Sequence, residues 1–403
     1  MTGGSEADAS RFAIETEIAI IGGGLSGTLA AITLARAGYD VTLIDRHAVY
    51  PPDFRVEKIG AEQAAILERL GLLGALDASA TRFDEIVNAR RGRILDRTRS
   101  RHYSFLYEDL VATMRAQLPA SVRFVVGRVD DLKTNVDRQT VSVLNQGTVN
   151  ARLIVLATGM GDLLRRTLGI ERRFIHERQS LTFGFAIRPV CGAGFHYPAL
   201  SYYGEKITDG IDYLNIFPIA GGTRANLFTF RDHRDPWVKE FRANPKDTLL
   251  ATLPGLPKIL GDFEIVGRVQ NWLMDIAVAE NCRQAGIVLI GDAYQTSCPA
   301  AGTGVSRVLT DVERLCTVHV PRWLKTSGMP ASKIATFYDD AQKQVVDKRA
   351  LRLADYRRNL TVEKDWRWGA RRMMLLSRRR LVDGIDRHTP ALGATLRMLN
   401  SYR

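Results

Sequence analysis

The stretch "EIAIIGGGLSGTLAAITLARAGYDVTLIDR", residues 17–46, decides the fold. Its first apolar residues, 18–21, predict a buried strand that runs directly into a Gly-x-Gly-x-x-Gly loop at 22–27. A helical pattern continues to Gly38, and a second strand, "DVTLI", ends at Asp45. A strand, a glycine loop, a helix and a second strand in this order predict a dinucleotide-binding βαβ unit.

The glycine loop has the residues that a pyrophosphate site requires. Gly22 permits the tight turn, Gly24 lets the backbone approach the phosphates, and Gly27 lets the helix pack closely on the strand. The helix then begins at Leu25 and Ser26, where free N–H groups and a partial positive charge favour an anion. We therefore expect these five residues to contact the cofactor.

The end of the second strand narrows the choice of dinucleotide. A carboxylate at Asp45 can accept hydrogen bonds from both ribose hydroxyls, and Arg46 follows it directly. An acid at this position disfavours a 2′-phosphate. The first unit therefore predicts FAD or NAD rather than NADP.

A second segment, "GIVLIGDAYQTSCPAAGTGVSRVLTDVERL" at 286–315, favours FAD. It combines a strand, Asp292, a turn of small residues and the start of a helix. An NAD dehydrogenase has no use for a second phosphate-binding loop, whereas the ribityl chain of FAD extends to a distant part of the sheet. We expect Asp292 to hold the ribitol, and the N–H groups of Gly304 and Val305 to meet the pyrimidine edge of the flavin.

Together these motifs resemble the class A FAD-dependent monooxygenases, the para-hydroxybenzoate hydroxylase family, over about residues 16–360. "FRVEKIGAEQAAILERLGL" (54–72) is similar to the family segment whose arginine touches the flavin, and Arg55 matches that arginine. "VRFVVGRVDDL" resembles the strand whose backbone, near Val129, would meet the adenine. The family order Gly-Asp, Pro, Gly-x-Gly and Asp is matched by Gly291, Asp292, Pro299, Gly302, Gly304 and Asp311.

This resemblance implies an α/β fold with a doubly wound FAD-binding sheet, a glutathione-reductase-like Rossmann variant. An antiparallel β-sheet substrate domain and C-terminal helices complete it. It also implies a monooxygenase that uses O2, through a flavin C4a-hydroperoxide, to hydroxylate a small aromatic or polyunsaturated molecule. NADPH or NADH would be the electron donor.

One family motif is altered. The family carries Ala-Asp-Gly-x-x-Ser-x-x-Arg, whereas this chain has "ATGMGDLLRRTLG" at 157–169. Thr158 replaces the aspartate, Asp162 replaces the serine and Arg165 remains. Because the family motif supports both FAD and NADPH binding, the change favours a separate flavin reductase or a role as a dehydrogenase. The alternative is that Asp162 supplies the missing carboxylate.

Residues 172–280 alternate between apolar and polar positions and are rich in aromatic and β-branched side chains, which predicts an antiparallel sheet. Period-two spacing places Tyr213, Asn215 and Phe217 on one face, and we expect them to line the substrate pocket. Packing within the sheet is the other interpretation of these three residues.

No Ser-His-Asp arrangement and no metal-ligand spacing is evident. His102, His196 and His233 are the histidines near predicted pocket segments. Pro299 and Thr296, in the loop beside the flavin ring, are our candidates for shaping the reaction site.

The chain divides into four predicted parts: 16–171, the first FAD-binding part; 172–280, the substrate domain; 281–320, the second FAD-binding part; and 321–403, a helical region. The net charge of +12 comes partly from "RRMMLLSRRR" at 371–380. We expect a solvated helix face there, with residues 373–376 turned inward. Weak attraction to an anionic membrane surface is a second interpretation, and nucleic acid is disfavoured because no nucleic-acid-binding motif accompanies the charge.

Two alternatives to the monooxygenase remain open. One is a flavin reductase or dehydrogenase of an isoprenoid-like substrate. The other is a flavin-dependent halogenase, although "DWRW" at 365–368 lacks the Ile-Pro that ends the halogenase signature. No secretory signal pattern is present, and four scattered cysteines are typical of reduced thiols, which predicts a cytoplasmic protein.

Overall fold

A computed structural model of the protein describes residues 12–192 and 194–388. Its strands are β1 (Phe12–Glu15), β2 (Ile18–Ile21), β3 (Val41–Asp45), β4 (Lys58–Gly60), β5 (Thr81–Arg90), β6 (Arg93–Ser104), β7 (Arg123–Val126), β8 (Val129–Lys133), β9 (Gln139–Val143), β10 (Gly147–Ala151), β11 (Leu153–Leu156), β12 (Arg172–Pro189), β13 (Leu200–Tyr203), β14 (Ile211–Ile219), β15 (Gly222–Thr229), β16 (Phe263–Ala279) and β17 (Ile287–Leu289).

The helices are α1 (Leu25–Arg36), α2 (Ala61–Arg69), α3 (Leu73–Ser79), α4 (Tyr107–Arg115), α5 (Leu163–Thr167), α6 (Pro236–Ala243), α7 (Pro245–Thr252), α8 (Pro257–Leu260), α9 (Gly304–Arg314), α10 (Val320–Trp323), α11 (Ala331–Tyr338), α12 (Ala341–Val362) and α13 (Trp366–His388). Short 3₁₀ turns lie at Gly291–Ala293 and Pro299–Ala301.

A five-stranded parallel sheet in the order β17-β11-β2-β3-β7 lies at the centre of the first core. Strands β2, β11 and β17 are continuous apolar runs whose residues are all buried, as expected for a parallel sheet covered on both faces. Because these strands are parallel, the carboxyl ends of β2, β3 and β17 lie at the same edge of the sheet. Because the FAD motifs directly follow these three strands, the sheet brings them together.

A second hydrophobic core is built on a mixed eight-stranded sheet. The order of its strands is β16-β12-β15-β14-β13-β5-β6-β4. Its strands pair antiparallel except for β13 and β5, which are parallel. The prediction assigned the strands within 58–104 to the first FAD-binding part, whereas hydrogen bonds join them to the sheet of the substrate domain. The mixed α/β class with parallel and antiparallel sheets agrees with the prediction.

A buried charge network joins α9 to α12. Lys343 lies 2.6 Å from Asp311 and 3.0 Å from Asp347, and Arg307 lies 2.8 Å from Asp347. The other carboxylate oxygen of Asp311 accepts a hydrogen bond from the N–H of Gly291 at 2.9 Å. Through Asp311, helix α12 therefore helps to fix the start of the second FAD loop.

The basic stretch differs from its prediction in one respect. Met373 and Met374 are 67% and 66% exposed rather than turned inward, and Leu375 is half-buried. The side chain of Leu376 and residues 389–403 of the predicted helical region lie outside the described residues. Within the part of the chain that the structure describes, no helix is long and apolar enough to span a bilayer.

Candidate functional site

The glycine loop after β2 packs so tightly that two of its glycines have no room for a side chain. Gly22 has φ +104°, and a Cβ there would lie 2.4 Å from the carbonyl oxygen of Ala157. At Gly27 a Cβ would lie 1.8 Å from the carbonyl oxygen of Gly22. A side chain at either position would therefore break the loop, whereas beside Gly24 the space is open, with only a Tyr50 ring carbon at 3.9 Å.

Helix α1 begins at this loop with no side chain capping its N-terminus. The N–H groups at Leu25 and Ser26 are thus left for a ligand, because the first turn of a helix has no internal acceptors. These observations fit the pyrophosphate of FAD.

Asp45 lies at the end of β3 as predicted and is held from three sides. Its carboxylate accepts hydrogen bonds from the N–H of Gly23 at 2.6 Å and of His47 at 2.8 Å. Arg115 lies 3.4 Å from it and also donates to the carbonyl of Gly23 at 2.9 Å. The loop and the acid are therefore fixed relative to each other.

Two other predicted cofactor residues lie near this end of the site. The side chain of Arg46 is exposed. Val129 has its side chain in the core and pairs with Val143, so only its backbone is available to an adenine. The N–H of Gly127, two residues earlier, donates to the carbonyl of Asp45 at 2.8 Å. The sheet therefore brings the predicted adenine strand to the ribose end.

The second loop meets the first at Gly291, which has φ +61° and whose Cβ would lie 3.2 Å from Ser26 Oγ. Further along the loop, Gly302 has φ +66°, and the Oγ1 of Thr303 has no hydrogen-bond partner in the described residues. No side chain caps α9 at its start. The uncapped start of α9 at Gly304 and Val305 therefore faces the same cavity as the first loop.

Arg55 connects the second loop to the large sheet. Its guanidinium lies 3.4 Å from Asp292 and 2.9 Å from Asp53, and it stacks 4.1 Å from the ring centroid of Trp272. Asp292 also receives a hydrogen bond on its main-chain carbonyl from Arg172 at 2.9 Å. Both of the predicted residues thus border the cavity at the position expected for the flavin end.

One cavity of about 390 Å³ joins these loops to the face of the large sheet. Tyr213, Asn215 and Phe217 line it, as the alternation predicts, and so does Pro299. The hydroxyl of Tyr213 donates to the carbonyl of Ala300 at 3.0 Å, and burial raises the pKa of this phenol well above its usual value. Tyr213 therefore stays protonated and fixes the wall of the cavity.

Thr296 does not line the cavity, which differs from the prediction. Its hydroxyl donates to the carbonyl of Asp275 at 2.6 Å and accepts from the N–H of Ala277 at 2.8 Å. The side chain is fully buried and attaches the second loop to β16. Thr296 is a structural residue that cannot reach a substrate in this arrangement.

Two titratable side chains line the cavity together: His102, which the sequence places near a predicted pocket segment, and Lys58, which no sequence pattern singles out. Lys58 and His102 come from the paired strands β4 and β6, and both line it. Burial lowers the pKa of Lys58 to about 8. Burial and the nearby Lys58 lower the pKa of His102 to about 4, so His102 is neutral at pH 7.

Neither of these side chains is satisfied by the protein. Lys58 has no hydrogen bond or ion pair, and neither ring nitrogen of His102 has a hydrogen-bond partner, within the described residues. The other charges that line the cavity are compensated: Glu57 pairs with Arg224 at 2.9 Å, and Arg55 pairs with its two carboxylates. The cavity therefore holds one ammonium group without a hydrogen-bonded or ion-paired partner in the described residues, beside a neutral imidazole.

Further unpaired polar atoms lie around the same cavity. Thr182 Oγ1, Asn226 Oδ1 and Trp272 Nε1 are buried without a partner in the described part of the chain, and all three residues line the cavity. Because unpaired buried polar groups are costly, they indicate a ligand that satisfies them. Of the other two candidate histidines, neither His196 nor His233 lines the cavity.

The altered motif is tied to the second loop indirectly. The hydroxyl of Thr158 is buried without a partner in the described residues. Asp162 pairs with Arg165 and lies 3.6 Å from Arg172, which in turn donates to the carbonyl of Asp292. The carboxylate of Asp162 thus reaches the flavin loop only through Arg172.

Comparison with known proteins gives a consistent result. The family model described as FAD binding domain matches residues 15–318. Kynurenine 3-monooxygenase of Salinispora arenicola (strain CNS-205) is 24% identical over 346 residues, which cover 78% of this chain and 76% of that relative.

Among solved structures, p-nitrophenol 4-monooxygenase PnpA from Pseudomonas putida DLL-E4 has a TM-score of 0.68 at 17% identity, covering 96% of this chain and 98% of its own. The flavin-dependent brominase Bmp2 has a TM-score of 0.66 at 18% identity, covering 90% and 93%. At these identities the structural similarity concerns the fold.

Proposed function

This chain belongs to the FAD-binding family of flavin-dependent monooxygenases, and from that premise we propose that it hydroxylates a small aromatic molecule bearing an acidic or phenolic oxygen. The observation that supports this most strongly is the single cavity joining the FAD loops to an aromatic wall, with Lys58 unpaired inside it. When bound, FAD supplies the reduced ring that activates O2 for transfer to the substrate.

The residues of this chain have three tasks in the proposed reaction. Phe217 and Tyr213 exclude water and orient an aromatic ring. Lys58 pairs with the acidic oxygen of the substrate, and the neutral His102 beside it accepts or donates one hydrogen bond. A phenolate held in this way is more electron-rich than a phenol, which favours attack on an electrophilic oxygen.

Product analysis tests the proposal and separates it from its rivals. FAD-loaded protein is incubated with NADPH, a flavin reductase, ¹⁸O₂ and bromide. The candidate substrates include 4-hydroxybenzoate, 2-aminobenzoate and kynurenine. We expect one atom of ¹⁸O in the product. A brominated product would support the halogenase. A product that gains or loses only hydrogen would support the reductase or dehydrogenase.

We further propose that reduction of the flavin needs a partner reductase. The support is Thr158 in place of the family aspartate, together with the indirect position of Asp162. Hydride transfer falls steeply with misplacement, by about 100-fold for roughly 1 Å. In anaerobic stopped-flow experiments, NADPH or NADH alone should bleach the flavin slowly and an added reductase should accelerate it. Rapid bleaching by NADPH alone would contradict the proposal.

Two further proposals concern the location of the protein in the cell. The free cysteines, Cys191 exposed and the others buried, fit a reducing compartment such as the cytoplasm. Exposed Trp366, Met373 and Met374 beside the arginines of α13 fit weak binding to an anionic bilayer. Cosedimentation with phosphatidylserine vesicles but not phosphatidylcholine vesicles would support the second proposal, and equal pelleting with both would contradict it.

A further inference from the structure

A second cavity, of about 380 Å³, lies beyond the Tyr203–Tyr213 ring pair and is separate from the FAD cavity. It is formed where the turn between β5 and β6, the connection from β13 to β14, and helices α12 and α13 meet. None of the proposed FAD-binding or substrate-binding residues lines it. Its chemistry therefore needs an explanation of its own.

Three guanidinium groups converge on this cavity without a carboxylate partner. Arg90 donates to the main-chain carbonyls of Gly204 at 2.7 Å and Glu205 at 3.2 Å, and Arg91 donates to the latter at 3.0 Å. Arg372 donates to the carbonyl of Leu360 at 3.0 Å. Within the described residues none of the three makes an ion pair, so most of their N–H groups remain available to a ligand.

The acidic residues around the cavity are already engaged. Asp212 pairs with Arg357 at 2.7 Å. The carboxylate of Glu205 accepts hydrogen bonds from the hydroxyl of Tyr202 at 2.6 Å and the N–H of Gly255 at 2.8 Å. Burial and the neighbouring Arg91 and Arg372 lower the pKa of Arg90. The three cations therefore repel one another, and an anion placed among them would relieve that repulsion.

The backbone of Arg91 adopts an unfavourable left-handed conformation. Arg91 and Gly92 form the two-residue turn between β5 and β6, with φ of +50° and +67°. The first position of such a turn is usually Asn, Asp or Gly, and a longer side chain there costs about 1–2 kcal/mol. The N–H of Gly92 donates to the hydroxyl of Tyr202 at 2.9 Å, which fixes the turn. The turn thus holds Arg91 in a defined position despite its strain.

The rest of the lining combines apolar side chains with polar ones, among them Lys206, Thr361 and the ion-paired Arg357 and Arg379. Leu95, Ile211, Leu360 and Leu375 lie beside the arginines. A cavity with a cationic end and a hydrocarbon wall suits an amphiphilic anion better than an inorganic ion. Guanidinium groups bind both carboxylates and phosphates in a bidentate manner, so the geometry admits either head group.

We propose that this second cavity is a binding site for an organic anion, a carboxylate or phosphate monoester with a hydrocarbon body, held by Arg90, Arg91 and Arg372. The site is distinct from the flavin cavity, so the proposal does not depend on the reaction that the enzyme performs.

Calorimetric titration of the FAD-loaded protein tests this proposal with three ligands of equal chain length: octanoate, octyl phosphate and 1-octanol. We expect one or both anions to bind and the alcohol to bind at least about tenfold more weakly, which corresponds to about 1.4 kcal/mol. The tighter anion identifies the head group that the site prefers.

Matched variants locate the binding. Arg372→Gln should raise the Kd of the anion about tenfold, whereas Arg371→Gln, one position away, exposed and stacked on Trp368, should leave it within about twofold. Lys58→Gln should also leave the Kd unchanged, because Lys58 lies in the other cavity. If Arg372→Gln fails to fold, Arg91→Gln on the surface turn replaces it.

Three results would overturn the proposal: 1-octanol binding as tightly as the anions, folded Arg372→Gln and Arg91→Gln variants with unchanged Kd, or a loss of binding in Lys58→Gln alone. The last result would place the anion in the flavin cavity. Failure of both anions to bind at millimolar concentration would likewise refute the site.

Discussion

Asp45 is the residue on which cofactor affinity should depend most clearly. In Asp45→Ala the ribose loses charge-assisted hydrogen bonds of about 1.5–3 kcal/mol. We expect the Kd for FAD, measured by flavin fluorescence, to rise by about tenfold or more. Asp40→Ala is the matched control, because Asp40 directly precedes the same strand and its carboxylate contacts only Arg123 among the described residues, at 3.5 Å, on the surface. Equal affinity in Asp45→Ala and the wild type would show that the ribose lies elsewhere.

Lys58 should give substrate binding a characteristic pH dependence. Its lowered pKa of about 8 means that the ammonium is present below pH 8 and is lost as the pH rises through that value. Benzoate-type acids such as 4-hydroxybenzoate should therefore bind more tightly at pH 7 than at pH 9, as seen in the flavin absorbance spectrum.

The control for this prediction is Lys58→Met, which should bind the acid weakly at both pH values. Benzamide, which carries neither an acidic nor a phenolic oxygen, should bind the wild type without dependence on pH. A dependence on pH that survives in Lys58→Met would assign the titration to another group around the cavity, such as Glu57, whose pKa is raised by burial.

Residue by residue, prediction from sequence succeeded where the required pattern is local. Gly22 and Asp45 belong to one βαβ unit, and Tyr213 and Asn215 follow from alternation along one strand. Lys58 and His102 lie on strands β4 and β6, which pair although they are distant in sequence, so no spacing reveals that both line the cavity. Thr296 was misassigned because a small residue beside a flavin loop can face either the ligand or the strand behind it.

At the level of elements, the contact between α9 and α12 should contribute strongly to stability. Lys343→Met would leave Asp311 and Asp347 buried without their shared cation, and breaking a buried pair of this kind costs about 3–5 kcal/mol. Urea denaturation should show this loss, whereas Lys348→Met, on the exposed face of the same helix, should change the free energy of unfolding by less than about 0.5 kcal/mol. A loss of less than about 1 kcal/mol in Lys343→Met would mean that the network is compensated by water.

The assignment of strands to sheets was the least predictable feature at this level. Residues 58–104 follow the FAD motif closely in sequence, yet β4, β5 and β6 pair into the substrate sheet. The long-range pairing of β5 with β13 attaches these strands to the substrate sheet. The residue pattern of a single strand does not show which other strand it pairs with. The exposed Met373 and Met374 similarly show that an apolar run on a helix does not specify what it faces.

For the whole molecule, we expect FAD to stabilise the fold by contacting both the glycine loop after β2 and the Asp292 loop. At 100 times its Kd it should add about 2.7 kcal/mol to the free energy of unfolding, because it binds the folded chain alone. ADP, which reaches only the glycine loop after β2, should stabilise less at equal concentration. Thermal or chemical denaturation with each ligand measures this, and equal effects of FAD and ADP would mean that the Asp292 loop does not contact the cofactor.

The order of strands in the parallel sheet also has a consequence for how the protein is made. β2 and the glycine loop leave the ribosome early, but β17, which is separated from β2 by β11 in the same sheet, and the Asp292 loop are synthesised only after the whole substrate sheet. Because synthesis runs from the N-terminus, the nascent chain has half a cofactor site for most of its translation. FAD therefore cannot be captured firmly until the segment up to Val305 has emerged, so growth without riboflavin should impair the last stage of maturation and leave early folding untouched.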